Sequence, residues 1–328
     1  MNNDKKSRTS IVKVFLFSLA LCALSVTNVF AQNEGGMPLT AEKQKQIINN
    51  FSDSLTKYYF FQDSAKIIVE KLDLAYKNGV FNEITNDSLF AVNLTQFIRS
   101  IVSDNHLGVR YRKTQPPPPS DVAPRSRDNM PSPIEFKILE NNIGYLRINM
   151  FDEQPSFYEK FDSVFQNLKE TKALIIDLSS CGGGSPRANK YVISHFLQPN
   201  TQLTSIFNLR NGNIIETENY SLDDIKSERY TDKPIFIITG KRTFSAAESF
   251  CYDLQVLKRA TIVGVNTVGG ANPGREFRIG DSYVAFIPTG QSLNHITKSN
   301  WEGVGIIPDI LTSENEALSK AISLANEK

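Results

Sequence analysis

Between Pro234 and Lys258 the chain changes character twice, and this narrows the folds open to it. Pro-Ile-Phe-Ile-Ile-Thr-Gly is a short apolar, β-rich run that stops at Gly240. Lys-Arg-Thr-Phe-Ser is a polar hinge, and an amphipathic helix follows from Ala246 to Lys258. A buried strand that passes through glycine into a helix is the repeating unit of α/β sheets. The same passage occurs earlier. Ala173 to Leu178 is a continuous apolar run suited to a sheet covered on both faces. It enters Gly182-Gly183-Gly184 and then a helix over Arg187 to Phe196. Ile143–Ile148, Ile235–Thr239, Thr261–Val265, Glu276–Ile279 and Tyr283–Ile287 read as further strands, with helices over Phe157–Leu168 and Glu314–Asn326. From residue 134 to 328 the expectation is therefore an α/β domain.

Upstream the texture differs. From Thr40 to about Val102 apolar residues recur at helical spacing: Ile47, Ile48 and Phe51, then Leu55, Tyr58 and Tyr59. Asp63-Ser64 reads as the cap of a second helix that Gly79 ends, and Asn86-Asp87 as the start of a third. Residues 32–113 are thus expected to form a small helical domain. Residues 114–133 hold Pro116 to Pro119 in a row with Pro124, Pro131 and Pro133, which predicts an extended linker. The first 31 residues carry Lys5, Lys6, Arg8 and Lys13 ahead of an apolar run from Ile11 to Leu24, with small residues around Ala31. This predicts a signal peptide cleaved after Ala31, too short for a membrane span, and export across the inner membrane to the periplasm. A lipoprotein site at Cys22 is disfavoured by the bulky Leu21 before it.

Without residues 1–31, which hold four Lys/Arg and one Asp, 32 basic side chains face 34 acidic ones, a net charge of −2. Such a balance gives no reason to expect nucleic acid or anionic lipid as a partner. Cys181 and Cys251 then remain, too few for a disulfide framework and without zinc spacing; one bridge between them is open in an oxidising compartment, but they read first as two separate small packing residues. No metal or cofactor is expected.

Several residues could carry chemistry. Ser245 stands where a helix begins beside a strand end, a place where unpaired N–H groups favour negative charge. Locally, Ser245-Ala246-Ala247-Glu248 is a Ser-x-x-Glu capping box and needs no catalysis to explain it. The Gly182–Gly184 turn lacks the Lys-Ser/Thr of a phosphate loop. It could present N–H groups to an oxyanion, or be only a tight strand-to-helix turn. Of the three histidines, His195 lies in an apolar helix and reads as packed, and His295 as an exposed loop residue. His106, in Asp104-Asn105-His106-Leu107-Gly108, lies where helical and strand-rich segments meet, and such junctions form clefts.

Five segments in order carry a resemblance. They are Asp104-Asn-His-Leu-Gly, Ile176-Asp-Leu to Gly-Gly-Gly-Ser185, Thr243-Phe-Ser-Ala-Ala-Glu248, Val263-Gly-Val-Asn-Thr-Val-Gly-Gly-Ala-Asn-Pro273 and Asn300-Trp-Glu-Gly-Val-Gly-Ile-Ile-Pro-Asp309. Over nearly its whole length after the leader, the chain resembles the C-terminal-processing and tricorn-core serine proteases. It is most similar to the branch like the interphotoreceptor retinoid-binding protein module. The resemblance implies a crotonase/ClpP-like ββα spiral core behind an N-terminal helical domain; the chain departs from the family pattern in that the proline linker between the two is too short for a PDZ-like segment. It implies Ser245 as nucleophile, N–H groups of Gly183 and Ala246 as oxyanion hole, and peptide or protein as substrate. One catalytic subtype of the family has a lysine 25 residues after the serine; Gly270 stands there, which excludes a Ser–Lys dyad. The other subtype implies His106 as base and Glu302 as its support. Asn105 stands where that subtype has serine and is expected to take over its hydrogen bonding; Ser179 and Cys181 replace an arginine and an asparagine of the glycine loop. The alternative on the same fold is a non-catalytic module binding a hydrophobic ligand or peptide.

Overall fold

The computed structural model describes residues 39–112, 132–210 and 212–328. The leader, Cys22 and the proline-rich stretch to residue 131 lie outside them. Three helices come first: α1 (Ala41–Tyr58), α2 (Gln62–Lys77) and α3 (Asp87–Ile101). Strands β1 (Gly108–Tyr111), β2 (Ile134–Leu139) and β3 (Ile143–Ile148) lead to α4 (Pro155–Leu168) and β4 (Ala173–Asp177). Next come α5 (Pro186–Ser194), β5 (Gln202–Arg210), β6 (Asn213–Tyr220), β7 (Ile235–Thr239) and α6 (Ala246–Val256). The chain ends with β8 (Thr261–Gly264), β9 (Gly274–Arg278), β10 (Tyr283–Pro288), β11 (Gly290–Leu293), β12 (Ile310–Leu311) and α7 (Ala317–Asn326).

The central sheet runs β12-β8-β7-β4-β3-β2, parallel except for the edge pair β2–β3. The inner strands β4 and β7 bury side chains on both faces, which is why they read as unbroken apolar runs. On one face Leu174, Ile176, Ile235 and Ile237 pack with Phe161 and Phe165 of α4, Val192 of α5 and Phe250 of α6. On the other, Ala173, Ile175, Phe236 and Ile238 meet Ala317, Ala321 and Ala325, a small-residue stripe that seats α7 close to the sheet. The fold is thus mixed α/β.

Helices α1–α3 share a second core with an antiparallel sheet of order β1-β10-β9. Phe51, Leu72 and Leu94 pack there with Val109, Tyr283 and Ile287. The helical segment therefore closes on strands from the far end of the chain. A third sheet, β11-β5-β6, stands beside α6.

One cap is corrected. Asp63-Ser64 does not begin α2: the helix starts at Gln62 after Phe61, with no side-chain cap. Tyr59 is buried and packs edge-on against Phe61 (5.5 Å between centroids), and the helix begins three residues earlier than a cap at Asp63-Ser64 would place it. Asp63 falls in the first turn, where a carboxylate still favours the helix dipole. Asn86 does cap α3, its Oδ1 accepting from Leu89 N–H at 2.9 Å.

Candidate active site

Strands β4 and β7 are parallel neighbours, Leu174 opposite Ile235 through Asp177 opposite Ile238, so their two glycine turns leave the sheet side by side. The turns are tied together: Phe244 N–H donates to Cys181 O (3.1 Å), and Thr243 Oγ1 donates to Leu178 O (2.8 Å). Ser245 adopts φ 56°, ψ −119°, a conformation that typically costs a non-glycine residue about 1–3 kcal/mol. Buried Glu248 holds it there. Its Oε2 accepts the N–H groups of Ser245 (2.8 Å) and Gly270 (2.9 Å); its Oε1 accepts Gly269 N–H (2.6 Å) and the Thr267 hydroxyl. Glu248 thus caps α6 and anchors the 267–270 loop against it. Burial raises its pKa, and these hydrogen bonds pull the other way.

With the helix start capped by Glu248, the Ser245 hydroxyl faces His106: Oγ lies 3.0 Å from Nε2. Gly183, at φ 100°, lies against this turn; a Cβ on it would meet Phe244 O at 2.8 Å, Ser245 Cβ at 2.9 Å and Ala246 N at 3.0 Å. Among the described residues no acceptor takes the N–H of Gly183 or Ala246. Both flank the serine, where an oxyanion formed on a bound carbonyl would need donors.

His106 lies in the turn between α3 and β1. Asp104 Oδ1 accepts its backbone N–H (3.1 Å) and that of Leu107 (3.3 Å), while Asp104 Oδ2 accepts from Tyr59 OH (3.1 Å) and Asn272 Nδ2 (3.2 Å). Phe244 and Phe286 pack on the ring, at 4.6 and 5.4 Å between centroids. Glu302 approaches from the opposite end of the chain without a direct hydrogen bond to the imidazole. Its Oε1 accepts Asn105 N–H (3.0 Å); its Oε2 accepts those of Ala271 (2.6 Å) and Asn272 (3.0 Å). One ring nitrogen of His106 and one carboxylate oxygen each from Asp104 and Glu302 lie within 4.8 Å of one another. His106 Nδ1 is buried without a partner among the described residues.

Asn105 stands differently from the expected hydroxyl replacement. Its amide donates to the carbonyls of Val268 and Gly269 (3.0 Å each), away from the imidazole, and only its backbone N–H meets Glu302. The 267–270 loop, drawn in by Glu248, offers those two carbonyls and turns the amide aside.

Burial lowers the His106 pKa to about 4, with Arg99 and Arg110 adding to the effect. The ring is therefore neutral at pH 7 and can accept a proton. Glu302 is raised to about 7 by burial and then by Asp104, against its three backbone hydrogen bonds. Asp104 is also raised, chiefly by burial. Asp104, His106 and Glu302 are close enough to meet at one metal ion. However, both Asp104 oxygens and Glu302 Oε2 each already accept two hydrogen bonds, from backbone N–H groups and from the Tyr59 and Asn272 side chains, so the set is built as acceptors for its surroundings rather than as free ligands.

His195 is fully buried, packed edge-on against Phe161 and Phe165, as its helix pattern predicts. His295 is half-buried in the turn after β11. Cys181 and Cys251 are buried and unlinked, and burial raises both thiols. Gly270 leaves no room for a side chain. A Cβ there would enter the Phe244 ring and come within 3.0 Å of His106 Cε1. Asp104, Thr267 and Trp301, whose Nε1 donates to Gly270 O (3.0 Å), support the site and were not singled out from sequence. Only their neighbourhood to His106, Gly270 and Glu302 marks them.

The fold is mixed α/β, and it brings a serine hydroxyl at a helix start within 3.0 Å of a histidine ring nitrogen. Residues 142–312 match peptidase family S41, and residues 37–146 match the N-terminal domain of that family in eukaryotic IRBP. The chain belongs to peptidase family S41, a family of serine-type peptidases. A carboxy-terminal-processing protease of Bartonella bacilliformis is 25% identical over 200 residues, 55% of this chain and 41% of that protein. The match thus spans about two fifths of the relative's length. Among solved structures, a candidate peptidase from Parabacteroides merdae superposes with a TM-score of 0.63 at 18% identity, covering 86% of this chain and 96% of that one. A lipoprotein from Streptococcus agalactiae gives 0.60 at 18% identity, over 90% and 99%. Both share the fold.

Proposed function

We propose that the chain is an exported serine endopeptidase in which Ser245 is the nucleophile, His106 its base and Glu302 the support of that base. Ser245 Oγ attacks a peptide carbonyl as its proton passes to His106 Nε2, and the imidazolium returns the proton to the leaving amine. Water, deprotonated by the same imidazole, then releases the acyl group. The N–H groups of Gly183 and Ala246 receive the oxyanion, and loss of one such donor raises the barrier by roughly 3 kcal/mol. Glu302 acts through the backbone of Asn105, Ala271 and Asn272 and through its charge beside the ring. Export through the basic, apolar leader would carry the enzyme to peptide or protein substrates outside the cytoplasm. Among the described residues no helix is long and apolar enough to cross a membrane.

The observation that carries this reading is the 3.0 Å contact between His106 Nε2 and the hydroxyl of a serine held at φ 56°. A fluorophosphonate probe tests it. Stoichiometric adduct on Ser245, lost in Ser245→Ala and His106→Ala, is expected. Equal inertness of all three proteins would sink the reading.

A further inference from the structure

Ser245, Ser249 and Asp253 follow one another at four-residue spacing along one face of α6. The cleft at Ser245, about 80 Å³ in volume, is lined by Pro186, Asn189, Ile206, Ser249 and Ser292 as well as by His106. The same five residues also line an adjoining chamber of about 50 Å³, and Asp253 lies in its wall. The two cavities therefore abut, one at the nucleophile and the next, further along the same helix, at a carboxylate.

Asp253 is only 2% exposed, yet it pairs with no cation among the described residues. Its Oδ1 is saturated, taking Thr204 N–H (3.0 Å), the Thr204 hydroxyl (2.6 Å) and Asn294 Nδ2 (3.3 Å). Its Oδ2 takes no hydrogen bond from the described chain. A buried carboxylate with one oxygen left over is costly unless a proton or a cation meets it. Burial pushes its carboxyl up to about 6, against those hydrogen bonds, so the group remains mostly ionised at neutral pH. Lys190 lines the same chamber without pairing with it.

We propose that the two adjoining cavities together form the specificity pocket for the substrate residue on the N-terminal side of the scissile bond, and that Asp253 selects a lysine or arginine there. Asp253 lies eight positions after Ser245, about 12 Å between Cα atoms at 1.5 Å per residue. The Asp253 side chain leans back toward the nucleophile, as helical side chains do. The remaining span suits a long unbranched side chain whose end carries the charge. The narrow second chamber admits an aliphatic stem and excludes an indole ring. The peptide-bond orientation in this proposal rests on the peptidase reading; the cation site itself does not.

The test therefore measures binding apart from turnover. Ser245→Ala protein is titrated calorimetrically with acetyl-Ala-Ala-Lys and with acetyl-Ala-Ala-norleucine, product-like peptides that differ in the terminal charge. The lysine peptide is expected to bind at least tenfold more tightly. Adding Asp253→Asn, which keeps an acceptor for Thr204 and Asn294, should bring it down to the norleucine level. Equal affinities in the Ser245→Ala protein would overturn the proposal, since Lys190 or a proton would then meet the carboxylate. So would a lysine preference that survives Asp253→Asn. The comparison without Asp253→Asn decides even if that variant does not fold. A lysine preference without fluorophosphonate adduct on wild-type Ser245 would remove the peptidase reading and leave the cation site. Adduct without lysine preference would do the reverse.

Discussion

At the scale of single residues, the site depends on two groups kept out of their solution states. Ser245 is held at positive φ by Glu248, and His106 is kept neutral by burial. For a quenched peptide substrate, kcat/KM is expected to rise through pH 7 as Glu302 ionises. Below pH 6.5 it should keep part of its value until His106 protonates near pH 4. A single acid limb at 6.5 would mean that the histidine titrates as it does in water. The same depression has a consequence for stability. The unfolded chain takes the proton near pH 6.5, so the contribution of neutral His106, and of His195 likewise lowered to about 4, is present above 6.5 and lost as pH falls toward 4. Gly183→Ala should force its N–H away from the serine, because its Cβ would press on Phe244 O and Ser245 Cβ. A kcat loss of about 10²–10³ is expected, with the circular dichroism spectrum retained. Unchanged kcat would remove Gly183 from the oxyanion hole.

At the scale of elements, the two strand–glycine–helix passages were legible because β4 and β7 are buried on both faces and carry an unbroken apolar signal. The β5–β6 hairpin was not: β6 is largely exposed along its length, so burial imposes no alternation on it. Its role in flanking α6 comes from pairing with β11, which no local pattern announces. The 267–270 loop is a middle case. Glycine at 270 excluded a lysine partner on sequence alone, but the reason that any side chain is excluded is spatial: Phe244 and His106 occupy the space. Gly270→Ala is accordingly expected to displace the imidazole and cut the rate of fluorophosphonate labelling at least tenfold. Gly270→Lys should restore nothing. Labelling of Gly270→Lys at the wild-type rate would show that the loop can yield.

At the scale of the whole molecule, His106 reaches Ser245, 139 residues away, because α3 delivers it beside the central sheet. That delivery depends on the core shared by α1–α3 with β1, β10 and β9. Leu94→Ala in this core should destabilise the protein by about 2–5 kcal/mol, lowering the melting temperature measured by circular dichroism. Labelling of Ser245 should be lost along the same thermal transition. Labelling that outlasts the helical signal would mean that something else holds the histidine. Sequence by itself determined the local features: strand against helix, the glycine turns, the packed His195 against the junction His106, and the family to which the ordered segments belong. Burial repeats along the chain with the period of each element, and that period can be read in one dimension. Tertiary structure alone decided the partners: Glu248 reaching on from the helix start to the 267–270 loop, the Asn105 amide turned away, Glu302 meeting backbone N–H groups, and Asp253 in a cavity that adjoins the one at Ser245. Hydrogen bonds and clefts between residues distant in sequence leave no periodic trace, because they depend on where the packed elements come to rest.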